Sequence, residues 1–212
     1  MGIINEKLMK GMMKMNKKPV RKFVPWSNKE VIEFLKVAEL EGSGEMYKFV
    51  LSTGVRLGEL LALTWDNVDF DKETLTVNKN AISTRSGEEQ IEPLRSGSHT
   101  TALPSNLVIT LKKYKEKQRR EIGKRNQHKL NLVFPDKTGG VRKPSTVRIE
   151  FYRLIEKANV RKITFHDLRR MHAILLVNAG ASLDLIKNRL RHSRIETTKN
   201  LLYKQISKRY TK

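Results

Sequence analysis

The chain has 212 residues, which is long enough for one domain with a sizeable core. Lysine and arginine number 43 against 22 acidic residues, a formal net charge of +21, and this excess favours a polyanionic partner such as nucleic acid over a merely solvated basic surface. Cysteine is absent, which excludes disulfides and thiolate metal sites. Apolar runs stay below the ~18 residues of a membrane span and no signal peptide is evident, so a cytoplasmic protein without a membrane partner is expected.

The N-terminal segment differs in composition from the rest of the chain. Residues 1–22 are basic, rich in methionine and closed by Pro19. This composition is typical of a linker or of the remnant of a preceding segment, and a disordered basic arm fits it equally well. The sequence therefore predicts one domain over residues 23–212.

Helical patterns open this domain. Ser27 is expected to cap the first helix, with Glu30 three residues later as its capping-box partner. Apolar periodicity predicts a second helix at about 45–52. After a glycine-containing turn, a short buried helix is expected over 57–63.

The middle of the chain predicts one small antiparallel sheet. Residues 74–78 alternate and are rich in β-branched side chains, which is typical of a strand. A turn signal at 84–87 separates this strand from a second one near 90–94, and a third is expected near 100–103. Before the sheet, residues 65–70 are predicted to be a loop.

Helices dominate the second half of the chain. A long helix is expected over about 105–121, with a densely basic far end. Ser145 and Ser182 are expected to cap two further helices, another begins at about His166, and Thr197 starts the last. Together with the strands, the pattern predicts a mainly α fold with a small antiparallel β-sheet or hairpin (α+β).

A set of arginine, histidine and tyrosine side chains suggests the chemistry. The planar donor fork of arginine matches a phosphate, histidine donates to the same oxygens or moves a proton, and tyrosine can be a covalent nucleophile. The combination indicates phosphoryl transfer on a nucleic-acid backbone. Its members are Arg56, His166, Arg169, His192 and Tyr203.

Three segments carry a resemblance to a known family. TGVRLGELLALTWDNVDF, HDLRR, and RHSRIETT followed by a tyrosine resemble the signature boxes of the tyrosine recombinases, the phage-integrase family, and the similarity extends from about Trp26 onward. The resemblance implies a helical catalytic domain with a β-hairpin that grips double-stranded DNA. It also implies strand cleavage and rejoining through a 3′-phosphotyrosyl intermediate, without metal or nucleotide cofactor, in a tetrameric synapse on DNA.

The same resemblance implies roles for single residues. Arg56, His166, Arg169 and His192 would form a clamp on the scissile phosphate. Tyr203 would be the nucleophile, although it stands further after His192 than the resemblance implies, which leaves Tyr210 as the fallback. Glu59 would orient or pack Arg56, or be an ordinary helix carboxylate. Arg170 and His172 are expected to be structural, or in the case of Arg170 a contact to the DNA backbone.

Other positions depart from the family pattern. Arg95 stands where the resemblance implies the lysine that protonates the leaving 5′-oxygen, and arginine is a poor acid because its pKa stays above about 12. Lys79, on the preceding strand, is the alternative acid. Arg191 stands where glycine is usual, which adds bulk and a charge that could meet phosphate. Slow cleavage is therefore expected.

Two other functions stay open at this point. One is a catalytically impaired DNA-binding relic or regulator with the same fold, which the missing lysine and Arg191 favour. The other is a basic helical module that binds RNA or DNA and contains the boxes by coincidence. Residues 1–22 are too short for the N-terminal helical domain of full-length relatives, so we expect a fragment, a truncated gene product or a version with the catalytic domain alone.

Overall fold

The computed structural model describes residues 23–122, 130–191, 194–196 and 198–199. Its helices are α1 (Asn28–Leu40), α2 (Gly44–Thr53), α3 (Leu57–Leu61), α4 (Ser105–Ile122), α5 (Pro144–Lys157), α6 (Phe165–Asn178) and α7 (Leu183–Leu190). Its strands are β1 (Val68–Asp69), β2 (Thr74–Val77), β3 (Lys79–Ser83), β4 (Glu89–Pro93) and β5 (His99–Ala102). The mainly α fold with small antiparallel strands is confirmed.

The strands form two sheets, so the prediction of one sheet was wrong. Strands β1, β2 and β5 form a three-stranded antiparallel sheet in that order, whereas β3 and β4 form a separate hairpin. The backbone N–H of Leu94 donates to the carbonyl of Asn78 at 2.9 Å, where the chain returns from the hairpin. Strand β3 was missed because its sequence, KNAIS, lacks the β-branched alternation that marks β2.

Local capping signals explain most of the helix starts. Ser27 caps α1 and forms the expected capping box with Glu30, and Ser182 caps α7. Ser145 was wrongly expected to cap α5, which begins at Pro144, because the fixed φ of proline suits the first turn of a helix. The expected helix start at Thr197 lies outside the described residues, as does the segment 1–22.

The short helix and the loop after it also differ from the prediction. Helix α3 ends at Leu61, and residues 65–70 contain a 3₁₀ turn (Trp65–Asn67) followed by β1. Trp65 is buried, and its indole N–H donates to Gln118 Oε1 at 2.6 Å. Tertiary packing of this large side chain therefore orders a segment that has no periodic signal of its own.

Aromatic side chains from four helices meet in the core. Phe34 of α1 packs edge-on against Tyr47 of α2 at 5.0 Å between ring centroids and against Phe151 of α5 at 5.5 Å. Phe165, at the start of α6, packs edge-on on Phe151 at 5.5 Å. A second apolar cluster joins α6 to α7 and contains Ala173, Ile174, Val177, Ile186 and Leu190. This second cluster fixes the end of α7 beside α6. Within the described ranges, no helix combines the length and the apolar character needed to cross a membrane.

Candidate active site

The turn between α2 and α3 contains a glycine that its surroundings require. Gly54 ends α2 in the left-handed region with φ 69°, where glycine is favoured. A Cβ atom at this position would lie 2.6 Å from Cδ2 of His172, which no real contact allows. Because the backbone can pass this close to α6, the next residues, Val55 and Arg56, are brought onto the face of α6.

Glu59 holds Arg56 at the start of α3. Arg56 donates to this carboxylate twice, from its backbone N–H to Oε2 and from Nη1 to Oε1, each at 2.9 Å. The Glu59 side chain is 1% exposed, whereas that of Arg56 is 44% exposed. Burial alone would raise the pKa of Glu59, but the hydrogen bonds from Arg56 and the charge of Arg191 outweigh it and lower the pKa. Glu59 is thus an ionised carboxylate that orients a solvent-facing guanidinium.

Arg169, which the sequence predicts to be part of the clamp on phosphate, is buried. It lies on α6, whose first turn is fixed by a capping box between Thr164 and Asp167. Its Nη1 donates to the carbonyl oxygen of Gly54 at 2.6 Å, and its Nη2 donates to that of Leu190. Burial and the charge of Arg56 lower the pKa of Arg169 to about 10, so the side chain remains charged at neutral pH. Arg169 therefore ties the ends of α2 and α7 to α6.

His166 lies one helical turn before Arg169 and is exposed. Arg56, His166 and Arg169 line one cleft of about 130 Å³, together with Val55, Leu57, Arg148 and Phe165. Partial burial and the guanidinium of Arg169 lower the pKa of His166, so its ring is neutral at pH 7. The structure thus brings together three of the residues singled out from the sequence.

Arg191 joins this cluster from the end of α7. Its backbone is left-handed, with φ 51° and ψ 46°, and its Nη2 donates to Glu59 Oε1. One buried carboxylate is therefore shared by Arg56 and Arg191, which are far apart in sequence. The bulk and charge that Arg191 adds at a position where glycine is usual are packed against Glu59.

Arg95 and Lys79 lie away from the cleft lining. Arg95 is exposed in the turn between β4 and β5, and Lys79 is the exposed first residue of β3, paired with Pro93. Neither residue is among those that line the cleft in the described part of the chain. Their assignment as the acid stays a prediction.

Two residues close to the site residues carry no signal in the sequence. Arg148, on α5, lines the cleft, but it stands outside the three boxes and no local pattern marks it. His99, on β5, is half-buried, and its Nδ1 lies 3.1 Å from the carbonyl oxygen of Val77. Burial and the charge of Arg191 lower the pKa of His99.

Two residues expected to be structural have protein partners. His172 is buried, with Nδ1 2.8 Å from the carbonyl oxygen of Leu51, and its Nε2 accepts from Arg189 Nε at 3.1 Å. Arg170 pairs with Asp167 at 3.3 Å. The remaining expected site residues, His192, Tyr203 and the fallback Tyr210, lie outside the described residues. Where the structure describes the chain, no group of three or more histidines and carboxylates is arranged to hold a metal ion.

The geometry suits the recognition of a single phosphate. Preorganised positive donors around a small cleft lower the barrier to reactions in which charge builds up on phosphoryl oxygens. Arg56 presents an exposed guanidinium, and Arg169 retains N–H groups beyond those that its two carbonyl acceptors use. Such a cleft can bind and polarise a phosphodiester.

Comparisons with known proteins find relatives over most of the chain. The model of the phage integrase family matches residues 28–209. A XerC-like tyrosine recombinase of Caldanaerobacter subterraneus subsp. tengcongensis is 29% identical over 198 residues, which cover 86% of this chain and 50% of the relative. The prophage integrase IntR of Escherichia coli is 27% identical over 211 residues, covering 90% and 49%. The chain thus spans about half the length of these relatives.

Solved structures share the fold at low identity. The integrase of the transposon Tn1549, in complex with a circular intermediate DNA, superposes with a TM-score of 0.74 and 20% identity, covering 87% of this chain and 63% of that one. The XerA recombinase gives a TM-score of 0.66 and 21% identity, covering 91% and 67%. The catalytic domain of bacteriophage HP1 integrase gives 0.52 and 17%, covering 86% and 88%. Given the family match over most of its length, the chain belongs to the phage integrase family.

Proposed function

We propose that this chain is the catalytic domain of a site-specific DNA recombinase that cleaves and rejoins strands through a 3′-phosphotyrosyl intermediate. The observation that carries the proposal is the convergence of Arg56, His166 and Arg169 on one cleft, from two segments that are distant in sequence. Membership of the phage integrase family supports the same reaction.

The residues of the cleft stabilise the negative charge of the transition state. Attack on a phosphodiester concentrates negative charge on the non-bridging oxygens, and Arg56 and Arg169 neutralise it with donors that are fixed beforehand. Glu59 limits the freedom of Arg56, so little ordering is needed when DNA binds. His166, neutral at pH 7, can accept a proton or donate its ring N–H to a phosphate oxygen.

Tyr203 is the proposed nucleophile. Its hydroxyl oxygen forms a bond to phosphorus, the bond from phosphorus to the 5′-oxygen breaks, and that oxygen takes up a proton from the general acid, for which Arg95 and Lys79 are the candidates. The hydroxyl has an unperturbed pKa near about 10, so it needs the positive field of the clamp or a histidine to lose its proton. The phosphotyrosyl ester conserves the bond energy, so rejoining needs no cofactor.

Double-stranded DNA is the proposed partner, on which the chain would assemble into a tetrameric synapse. A cytoplasmic location is also part of the proposal. The net charge of +21 supports a polyanionic ligand. A flat dependence of DNA affinity on salt between low and physiological concentration would argue against nucleic acid.

The test is covalent adduct formation on nicked duplex substrates drawn from the source genome, which trap the cleaved strand. We expect the wild-type chain to form an adduct that survives denaturing electrophoresis and Tyr203→Phe to form none, while its binding to duplex DNA is unchanged. Tyr210→Phe is the control and should form the adduct normally. If Tyr210→Phe is the inactive variant instead, the nucleophile is Tyr210.

A second candidate function is a DNA-binding relic that retains the fold. Arg95 in place of the expected lysine favours it, because arginine is a poor proton donor. Persistent duplex binding without adduct on any substrate would establish the relic and overturn the proposed cleavage.

A further inference from the structure

Arg191 has donor nitrogens that no described residue uses. Its Nη2 donates to Glu59 Oε1, the same oxygen that accepts from Arg56 Nη1 at 2.9 Å. Nε and Nη1 of Arg191 are buried, and they have no hydrogen-bond partner among the residues that the structure describes. A buried donor without an acceptor is costly, so this position favours an incoming acceptor.

The charge of the surrounding cluster indicates what kind of acceptor. Arg56 and Arg191 both donate to Glu59, and the charges of all three act on Arg169, so three guanidinium groups lie around a single carboxylate. The cluster therefore carries an excess of positive charge in a partly desolvated environment, where charges interact more strongly than in water. An anion satisfies both the free donors and the excess charge, whereas a neutral acceptor satisfies only the donors.

The backbone at Arg191 gives a separate argument. Its φ of 51° lies in the left-handed region, which favours glycine over any residue with a Cβ atom. Its side chain is nevertheless 15% exposed and lies against Glu59 instead of extending into solvent. Because this backbone conformation disfavours any side chain, the guanidinium must compensate for the strain through an interaction of its own.

Arg191 is not among the described residues that line the cleft, but Glu59 connects it to Arg56, which does. We propose that Arg191 binds a non-bridging oxygen of the DNA phosphate held in the cleft, as a third arginine beside Arg56 and Arg169. The inference rests on the proposed function, since it names a further contact of the same phosphate. Glu59 accepts from both Arg56 and Arg191, which keeps the two guanidinium groups close enough to share one ligand. In the competing explanation, Arg191 touches no DNA and acts only by holding Glu59 and, through it, Arg56.

The first test measures DNA binding and needs no cleavage. Arg191→Met retains an unbranched side chain and the left-handed backbone but removes the charge and the donors. We expect it to lower the slope of log affinity for duplex DNA against log salt concentration by about one, the effect of one lost phosphate contact. Arg153→Gln, which removes an arginine paired with Glu41 at 2.8 Å, is the matched control and should retain the wild-type slope.

An unchanged slope for Arg191→Met overturns the proposal. This outcome differs from a failure of the proposed function, in which the wild type binds DNA with a steep salt dependence but forms no adduct.

The first test separates direct contact from positioning, and the second asks whether Arg191 neutralises charge on the reacting phosphate. On an ordinary nicked duplex we expect Arg191→Met to form the adduct at least about tenfold more slowly than the wild type in a single turnover. On a duplex whose scissile linkage is a methylphosphonate, in which a methyl group replaces one non-bridging oxygen, the difference should shrink because less charge needs to be neutralised. An equal loss on both substrates would mean that Arg191 neutralises no charge on the reacting phosphate, and it would overturn the proposal.

Discussion

Arg169 donates a hydrogen bond of 2.6 Å from Nη1 to the carbonyl oxygen of Gly54, 115 positions earlier in the chain. The contact links the first box of the sequence to the second. It also shows that Arg169 is part of the fold as well as part of the cleft, because its Nη2 donates to Leu190 at the end of α7.

The two arginines of the cleft should therefore respond differently to truncation. Arg56→Ala and Arg169→Ala should both abolish adduct formation, since each removes a donor to the transition state. Arg169→Ala should also lower the free energy of unfolding by on the order of 3 kcal/mol, because two buried carbonyl groups lose their donor. Arg56→Ala should cost about 1 kcal/mol, because its side chain is 44% exposed and Glu59 retains Arg191.

Urea unfolding of both variants measures this difference, and duplex binding checks that neither is only a general DNA contact. Equal destabilisation would contradict the structural role of Arg169. Equal losses of DNA binding and of adduct formation would show that Arg56 and Arg169 are general DNA contacts and do not form a clamp on the scissile phosphate.

Gly54→Ala should destabilise the protein more than a comparable change elsewhere. The new Cβ atom would be strained at φ 69° and would lie 2.6 Å from His172, so we expect a loss of about 3 kcal/mol in the free energy of unfolding. Gly180→Ala is the matched control, since Gly180 has φ 89° but open space around it, and it should cost only about 1 kcal/mol. Similar losses for the two variants would mean that His172 moves aside easily.

Arg95→Lys should accelerate adduct formation if Arg95 occupies the position of the general acid, because lysine gives up a proton more readily than arginine. A substrate with a sulfur atom at the 5′-bridging position should mask the gain, since sulfur leaves without protonation. Lys79→Ala tests the alternative on the same two substrates. If Lys79→Ala is slow only on the normal oxygen substrate, then Lys79 is the acid and Arg95 is not.

His172 should make stability depend on pH. Burial and the charge of Arg189 lower the pKa of His172 from 6.5 to about 4. Between pH 6.5 and about pH 4 the His172 ring is protonated in the unfolded chain but neutral in the folded chain. The free energy of unfolding therefore falls as the pH falls through this window.

The variant His172→Gln, whose amide can donate to Leu51 and accept from Arg189, lacks this titration. The advantage of the wild type over the variant in free energy of unfolding should shrink by on the order of 3 kcal/mol from pH 7 to pH 4. Parallel pH profiles would show that His172 titrates normally in the folded protein.

Much of the fold and part of the site could be predicted from the sequence, because the signals are local. The capping box of Ser27 and Glu30 and the cap at Ser182 each depend on contacts within one helical turn, and the structure contains them as predicted. The boxes that contain Arg56, His166 and Arg169 are likewise short segments, and they identified the family. His166 and Arg169 are three positions apart on α6, a spacing that puts both on one side of a helix.

The tertiary structure alone decided the features that join distant segments. Sequence did not indicate that Arg169 is buried between two carbonyl groups, that Arg191 shares Glu59 with Arg56, or that Arg148 lines the cleft. It also did not separate the β3–β4 hairpin from the other sheet. The physical reason is the same in each case: these contacts join groups far apart along the chain, so their geometry depends on how the whole core packs, and no local propensity encodes it.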